Sequence, residues 1–147
     1  MTPDINKHSS ITAAVVFDLL NPIPFGFFVA ALIFDAVYAN SPNVLWIKSS
    51  AWLISIGLLF AVVPRFINLV RVWFPGSRPS VARDKVAFFL YLFGIVAAIF
   101  NAFVHGRDAY ATIPQGLWLS ILTVGFLVVS NVLLTLQHSN NILKEHA

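Results

Sequence analysis

The chain has 147 residues, of which 59% are hydrophobic and 10% are charged; soluble domains carry about a quarter charged residues, so the composition excludes a water-soluble globule and predicts an integral membrane protein. The absence of cysteine excludes disulfides, iron–sulfur clusters and cysteine nucleophiles. The formal charge of +3 comes from nine basic residues scattered among apolar runs, so no nucleic-acid partner is expected and the positive charge is interpreted as a topology signal.

The first 20 residues are predicted to form a polar tail and an apolar interfacial segment. They lack the basic start and the small-residue cleavage site of a signal peptide, so they are expected to stay on the protein. Asn21 can cap a helix and Pro22 suits its first turn, which predicts the first membrane span at residues 22–39. Residues 11–20 either lie at the interface or continue into this span across a proline kink.

Three further apolar segments predict spans at residues 46–71, 85–105 and 116–136, followed by a polar tail at residues 138–147. The second span is expected to begin near Trp46 or Lys48, after a short turn, and to kink at Pro64. The uncharged part of the third span corresponds to about 31 Å of helix, close to the thickness of a hydrocarbon core. Residues 21–137 are therefore predicted to form an all-α, four-helix transmembrane bundle.

The distribution of cations predicts the orientation of this bundle. The first and third connections contain only Lys48 and Arg107, whereas the tails and the second connection contain more basic residues. Because basic residues collect on the cytoplasmic side, both termini are expected in the cytoplasm and the bundle in the bacterial inner membrane. The basic residues of the tails and the second connection are Lys7, Arg71, Arg78, Arg83, Lys85 and Lys144.

Polar residues from three spans are predicted to meet at the outer face of the bundle, where the end of the first span and the start of the second lie beside the end of the third. Asn101, His105 and Asp108 would share one helical face if the third helix continued past Gly106. The candidates for ligand binding or proton exchange are Asp35, Tyr38, Lys48, Asn101, His105, Arg107 and Asp108.

Two interpretations of this outer set are open. Ionisable groups inside a membrane usually face the bundle interior and pair with one another, so Asp35 is expected to pair with Lys48 or Arg107. In the first interpretation this pair is an assembly clamp. In the second, His105 exchanges protons or hydrogen-bonds the carbonyl of a quinone-like ligand near the interface.

A second polar set lies at the predicted cytoplasmic face. Its basic members are expected to bind lipid phosphates and fix the orientation of the helices, or to form an anion-binding site. Arg65 lies deepest in the second span, and Asp18 is its expected partner. The set comprises Arg65, Asn68, Arg71, Arg83 and Lys85.

Neither a haem nor a metal site is expected within one protomer. Of the four histidines only His105 lies in a span, and a membrane haem held by two histidines needs both at matching depth. The His105 side chains of two protomers could still supply such a pair. Small residues such as Gly26 with Ala30, or Gly94, would permit close helix contacts within one bundle or in a homo-oligomer. No nucleotide-binding or hydrolase motif is present, so the chain is predicted to be non-catalytic.

Two segments resemble the domain-of-unknown-function 2231 family of small bacterial four-span membrane proteins: the proline-led first helix from Asn21 to Asp35, and NAFVHGRDAY at residues 101–110. The resemblance covers residues 21–136. It implies a membrane-bound redox context, because some members of the family look to be joined to, or encoded beside, haem-c, Rieske-type or quinoprotein dehydrogenase modules. Many relatives have His before the first-helix Pro, where this chain has Asn21, and this departure removes a candidate haem ligand.

The sequence supports two functional hypotheses. The first is a non-catalytic membrane subunit or anchor that serves a periplasmic oxidoreductase and binds quinone beside Asp35, His105 and Asp108. The second is a small proton-coupled transporter in which Asp35 titrates inside a pathway. The lack of an internal repeat, and of a polar stripe along the full length of any helix, favours the first hypothesis.

Overall fold

A computed structural model describes the backbone of residues 19–20, 22–73, 82–107 and 109–145, and the side chains of residues 19–20, 22–62, 85–107, 109 and 111–136. The described chain is all-α, as predicted from the sequence. Its elements in chain order are α1 (Pro22–Asn40), α2 (Val44–Trp73), α3 (Ala82–His105), a 3-10 turn (Ala109–Ala111) and α4 (Gln115–Glu145).

Asn43 explains why α2 begins at Val44, ahead of the predicted start at Trp46 or Lys48. The side-chain Oδ1 of Asn43 accepts a hydrogen bond from the backbone N–H of Leu45 at 3.0 Å, and its carbonyl oxygen accepts one from the N–H of Trp46 at 3.0 Å. The first N–H groups of a helix have no partner within the helix, and an Asn before the first turn satisfies them.

The last helix extends beyond the predicted fourth span. The predicted polar tail at residues 138–147 follows the fourth candidate span, and its backbone is helical up to Glu145. The chain contains no Pro or Gly after Gly125, and polar side chains alone do not end a helix.

Two other predictions concern the early part of the chain. Pro64 lies within α2, which continues past it to Trp73. Residues 1–18 lie outside the described part of the chain. The alternatives for residues 11–20, an interfacial segment or an extension of the first span, therefore stay predictions.

Consecutive helices pack side by side, and α1 also packs against α4, so the four helices close into a ring. Neighbouring helices run antiparallel. Ser50 and then Gly57 of α2 contact Ala31 and then Phe28 of α1, in reverse order along that helix. The buried apolar core contains Phe28, Ala31, Ile54, Tyr91, Ala98 and Leu127.

The outer surface of this ring is apolar. Large side chains point away from the core, including Trp52, which is 71% exposed, and Phe103, which is 70% exposed. Soluble proteins rarely expose large contiguous apolar surfaces. Four segments are long and apolar enough to cross a membrane, which supports a multi-pass membrane protein: Pro22–Asn40, Val44–Val62, Lys85–His105 and Gln115–Leu136.

Two glycines allow close contact between neighbouring helices. A Cβ atom at Gly57 would lie 3.0 Å from Cε1 of Phe28 and 3.1 Å from Cβ of Phe27, and one at Gly94 would lie 3.2 Å from Leu127. Gly94, a small residue expected at a helix contact, therefore packs inside the bundle.

Replacement of Gly57 by Leu should lower the free energy of unfolding in detergent by about 1–3 kcal/mol, because the added side chain overfills the contact between α1 and α2. Gly125→Leu is the matched control, since a Cβ atom at Gly125 meets nothing within 4 Å. Denaturant titration of both purified variants measures the difference. Equal stability of the two variants would contradict this packing.

Candidate functional site

Polar side chains from all four helices meet at one end of the bundle. Asp35 lies near the end of α1 and Ser50 near the start of α2, while Asn101 and His105 belong to the last turns of α3 and Ser120 to the second turn of α4. Because neighbouring helices are antiparallel, these positions come to the same level. All five residues are buried, and they are called the polar cluster below.

Asp35 pairs with His105, and the predicted pairing with Lys48 or Arg107 is wrong. The Nε2 atom of His105 lies 2.8 Å from Oδ1 of Asp35, and both side chains are fully enclosed. Lys48 and Arg107 are exposed. The physical reason is the rotation of the helix: Ser50 occupies the buried face of α2, whereas Lys48 points outward, and Arg107 lies beyond the end of α3.

The hydrogen-bond partners of His105 define where its protons lie. Its Nδ1 atom is 2.9 Å from the backbone carbonyl oxygen of Asn101, and because a carbonyl oxygen can only accept, Nδ1 carries a proton. The Nε2–Oδ1 contact holds one further proton. With that proton on either atom, the pair of His105 and Asp35 has no net charge.

Ser50 attaches α2 to this pair. Its hydroxyl donates to the carbonyl oxygen of Ala31 at 3.2 Å, and its oxygen lies 3.3 Å from Nε2 of His105. The Ser50 hydroxyl therefore lies between the backbone of α1 and the imidazole of α3.

Ser120 and Asn101 complete the surroundings of the carboxylate. The Ser120 hydroxyl donates to Oδ2 of Asp35 at 2.5 Å, and its oxygen accepts from Nδ2 of Asn101 at 2.7 Å. Both oxygens of Asp35 thus have a donor. A buried carboxylate is tolerated when it is paired and hydrogen-bonded in this way.

The connection between α3 and α4 packs against the end of the bundle that holds the polar cluster. Tyr38 of α1 donates a hydrogen bond to the carbonyl oxygen of Ala109 at 3.2 Å and so attaches this connection to the bundle. Gly116 lies against the imidazole, because a Cβ atom there would be 2.8 Å from Cε1 of His105 and 2.8 Å from Cγ2 of Thr112. Only glycine leaves room for the ring in this position.

The structure separates the members of the predicted outer set. It brings Asp35, Asn101 and His105 together, and places Tyr38 beside the connection above them. Asp108 lies outside the described residues. The condition under which Asn101, His105 and Asp108 would share one helical face is not met, because α3 ends at His105 and a turn follows.

Of the predicted lipid-phosphate set, only Lys85 has a described side chain, and it is exposed. The other four members lie in described helices, α2 for Arg65, Asn68 and Arg71 and α3 for Arg83, but their side chains are outside the described part of the chain. The expected partner of Arg65, Asp18, also lies outside it. The lipid and anion interpretations therefore stay predictions.

Three residues of the site, Ser50, Ser120 and Gly116, were not predicted. The two serines carry a signal that the sequence does show, since a hydroxyl within an apolar span needs a partner inside the bundle. Gly116 gives no such signal, because its role depends on the position of the His105 ring above it.

The cluster can hold one shared proton and can join helices, and its donors and acceptors are matched to one another. Within the described ranges, no three side chains of His, Asp, Glu or Cys gather where a metal ion could bind. No protein-family model matches the chain, and no curated protein or solved structure matches it either.

The pair of Asp35 and His105 should behave as a coupled unit in unfolding measurements. Asp35→Leu and His105→Leu should each lower the free energy of unfolding by about 3–5 kcal/mol, because each leaves a buried polar partner uncompensated. The double variant should lose far less than the sum of the two losses.

The matched control for this cycle combines Asp35→Leu with Lys48→Leu, which removes an exposed cation near the same end of the bundle. Those two changes should be additive to within about 0.5 kcal/mol. Additive losses for Asp35 and His105, or coupling of Asp35 to Lys48, would contradict the pairing.

Replacement of Gly116 by Ala should displace the imidazole of His105, because the new methyl group would overlap Cε1. The expected results are a loss of about 1–3 kcal/mol in stability and a shifted Cε1–H resonance of His105 in the NMR spectrum. Gly125→Ala is the control, since its methyl group meets nothing within 4 Å. An unchanged His105 resonance in the Gly116 variant would contradict this contact.

Proposed function

We propose that the chain is a multi-pass protein of the bacterial inner membrane that acts as a non-catalytic subunit or anchor. In this proposal the polar cluster stabilises the packing of the four helices. The observation that carries this proposal is that each helix contributes a side chain to one enclosed hydrogen-bonded set. In apolar surroundings such contacts stabilise one arrangement of the helices, since displacing a helix leaves a polar group without its hydrogen-bond partner.

The enclosure of the cluster favours assembly over chemistry on a substrate. Both ring nitrogens of His105 have partners within the chain, and both oxygens of Asp35 have donors. A catalytic base or nucleophile needs an atom that can reach a substrate. Neither side chain offers one in this arrangement, since both are fully enclosed.

The placement in the membrane is supported by the apolar outer surface and by the cations. The apolar side chains around the ring match the hydrocarbon interior of a bilayer. An even number of antiparallel spans puts both chain termini on one side of the membrane, and the greater number of basic residues on that side favours the cytoplasm. The polar cluster then lies near the periplasmic face.

The redox context rests on the resemblance to the domain-of-unknown-function 2231 family. In that context the partner is a periplasmic oxidoreductase, which would approach the end of the bundle that carries the exposed cations Lys48 and Arg107. Exposed cations at such an end can attract an acidic partner surface and accelerate its association.

Quinone binding at His105 would require the contact between Asp35 and His105 to rearrange, because the quinone carbonyl would compete with Asp35 for Nε2 of His105. An apolar groove of about 410 Å³, lined in part by Gly26, Ala30 and Leu53, offers room for an isoprenoid tail. Gly26 lies about 13 Å along α1 from Asp35. A quinone that uses this groove therefore needs to extend along α1 to bring its headgroup to the polar cluster.

A proton-coupled transporter is the second candidate, and one observation favours it. The shared proton of Asp35 and His105 belongs to a longer chain of groups, which runs from Asp35 through Ser120 to Asn101. A buried proton with hydrogen-bonded neighbours is a common element of proton relays in membrane proteins.

Deletion of the gene that encodes this chain should slow quinone reduction in membranes isolated from the bacterium, when a substrate of a periplasmic dehydrogenase is supplied. Expression of the wild-type chain in the deletion strain should restore the rate. The purified chain alone should show no turnover with quinone and reductant. His105→Gln should lower the abundance of the chain in the membrane and the rate of quinone reduction in parallel, because it weakens the packing of the four helices. Arg107→Gln should leave the abundance unchanged. An unaltered rate in the deletion strain would refute the subunit proposal.

The same variants separate the alternatives. A loss of rate in His105→Gln at normal chain abundance would favour quinone binding at this residue. Proton flux into proteoliposomes that Asp35→Asn abolishes and Lys48→Gln preserves would favour the transporter over the anchor.

A further inference from the structure

Two buried polar atoms beside the polar cluster have no hydrogen-bond partner within the described residues. They are Oδ1 of Asn101 and Oγ1 of Thr123, and each residue is 1% exposed. Inside a membrane protein an unsatisfied polar atom is costly, because neither lipid nor apolar side chains can bond to it. Because they lie in neighbouring helices, one ligand between the helices could satisfy both.

The two atoms belong to neighbouring helices, Oδ1 of Asn101 to α3 and Oγ1 of Thr123 to α4. The amide of Asn101 is anchored to α4 by the 2.7 Å hydrogen bond from its Nδ2 atom to Oγ of Ser120. Ser120 and Thr123 are three residues apart on the buried face of α4, a spacing that puts their Cβ atoms about 5–6 Å apart. The amide of Asn101 is therefore held at Ser120, one turn of α4 from Thr123.

We propose that one water molecule bridges Oδ1 of Asn101 and Oγ1 of Thr123, between α3 and α4. The chemistry of the two atoms selects this ligand. The amide oxygen can only accept a hydrogen bond, so its partner must be a donor, whereas the hydroxyl both donates and accepts. A water molecule donates to the amide oxygen and accepts from the hydroxyl, and buried waters in proteins typically make two to four such bonds.

The bridging water lengthens the hydrogen-bonded chain of the cluster. That chain runs from His105 through Asp35 and Ser120 to Asn101. The water adds Thr123, which lies one turn of α4 farther from the end of the bundle. The buried proton site is thus connected to an exchangeable molecule in the helix interface, whether the chain serves as an anchor or as a transporter.

NMR of the full chain in lipid nanodiscs tests this proposal through magnetisation transfer from bound water. The expected result is a cross-peak between water and the Cγ2 methyl group of Thr123, and a second cross-peak to the Nδ2 protons of Asn101. A direct hydrogen bond from Thr123 to Asn101 would give neither water cross-peak. Absence of both cross-peaks in the wild-type chain overturns the proposal.

Variants of Thr123 provide the second measurement. Thr123→Val keeps the shape of the side chain and removes the hydroxyl, so the water cross-peak at Asn101 should be lost, whereas Thr123→Ser should retain it. Thr135→Val is the matched control, because the Thr135 hydroxyl donates to the carbonyl oxygen of Asn131 in its own helix at 3.0 Å. This control should leave the cross-peak unchanged. Retention of the Asn101 cross-peak in a folded Thr123→Val variant also overturns the bridge.

Discussion

A single buried carboxylate constrains the end of this bundle. Asp35 is fully enclosed, and an ionised carboxylate in apolar surroundings is costly unless donors reach its oxygens. His105 shares a proton with one oxygen and Ser120 donates to the other, so α1 depends on both α3 and α4. Ser50 adds α2 through its contact with the same imidazole. Displacement of any one helix therefore leaves a polar group without its partner.

The helices follow from features that the sequence displays directly. Long uncharged segments with Pro or Asn at their edges predict both the number of helices and the all-α class. Their ends are harder to predict, because they depend on local contacts. The start of α2 is set by two hydrogen bonds to Asn43, and α4 extends to Glu145 because polar residues do not break a helix.

The sequence predicts three of the five members of the polar cluster, and it does not predict their pairing. Asp35 and His105 stand out as ionisable residues in or beside apolar spans, and Asn101 lies one turn before His105. Charge complementarity points to Lys48 as the partner of Asp35, but the rotation of α2 turns Ser50 inward and Lys48 outward. Hydropathy alone leaves that rotation undetermined, because the apolar residues surround α2 on nearly every side.

The neutrality of the pair of Asp35 and His105 has an electrical consequence. A single charge that crosses a membrane exchanges about 2.3 kcal/mol with a potential of 100 mV. The two side chains meet at 2.8 Å, about a tenth of the hydrocarbon thickness of about 30 Å, so a potential of 100 mV changes the energy of the pair by at most about 0.2 kcal/mol. In a membrane, the potential therefore changes the free energy of this contact between the helices very little.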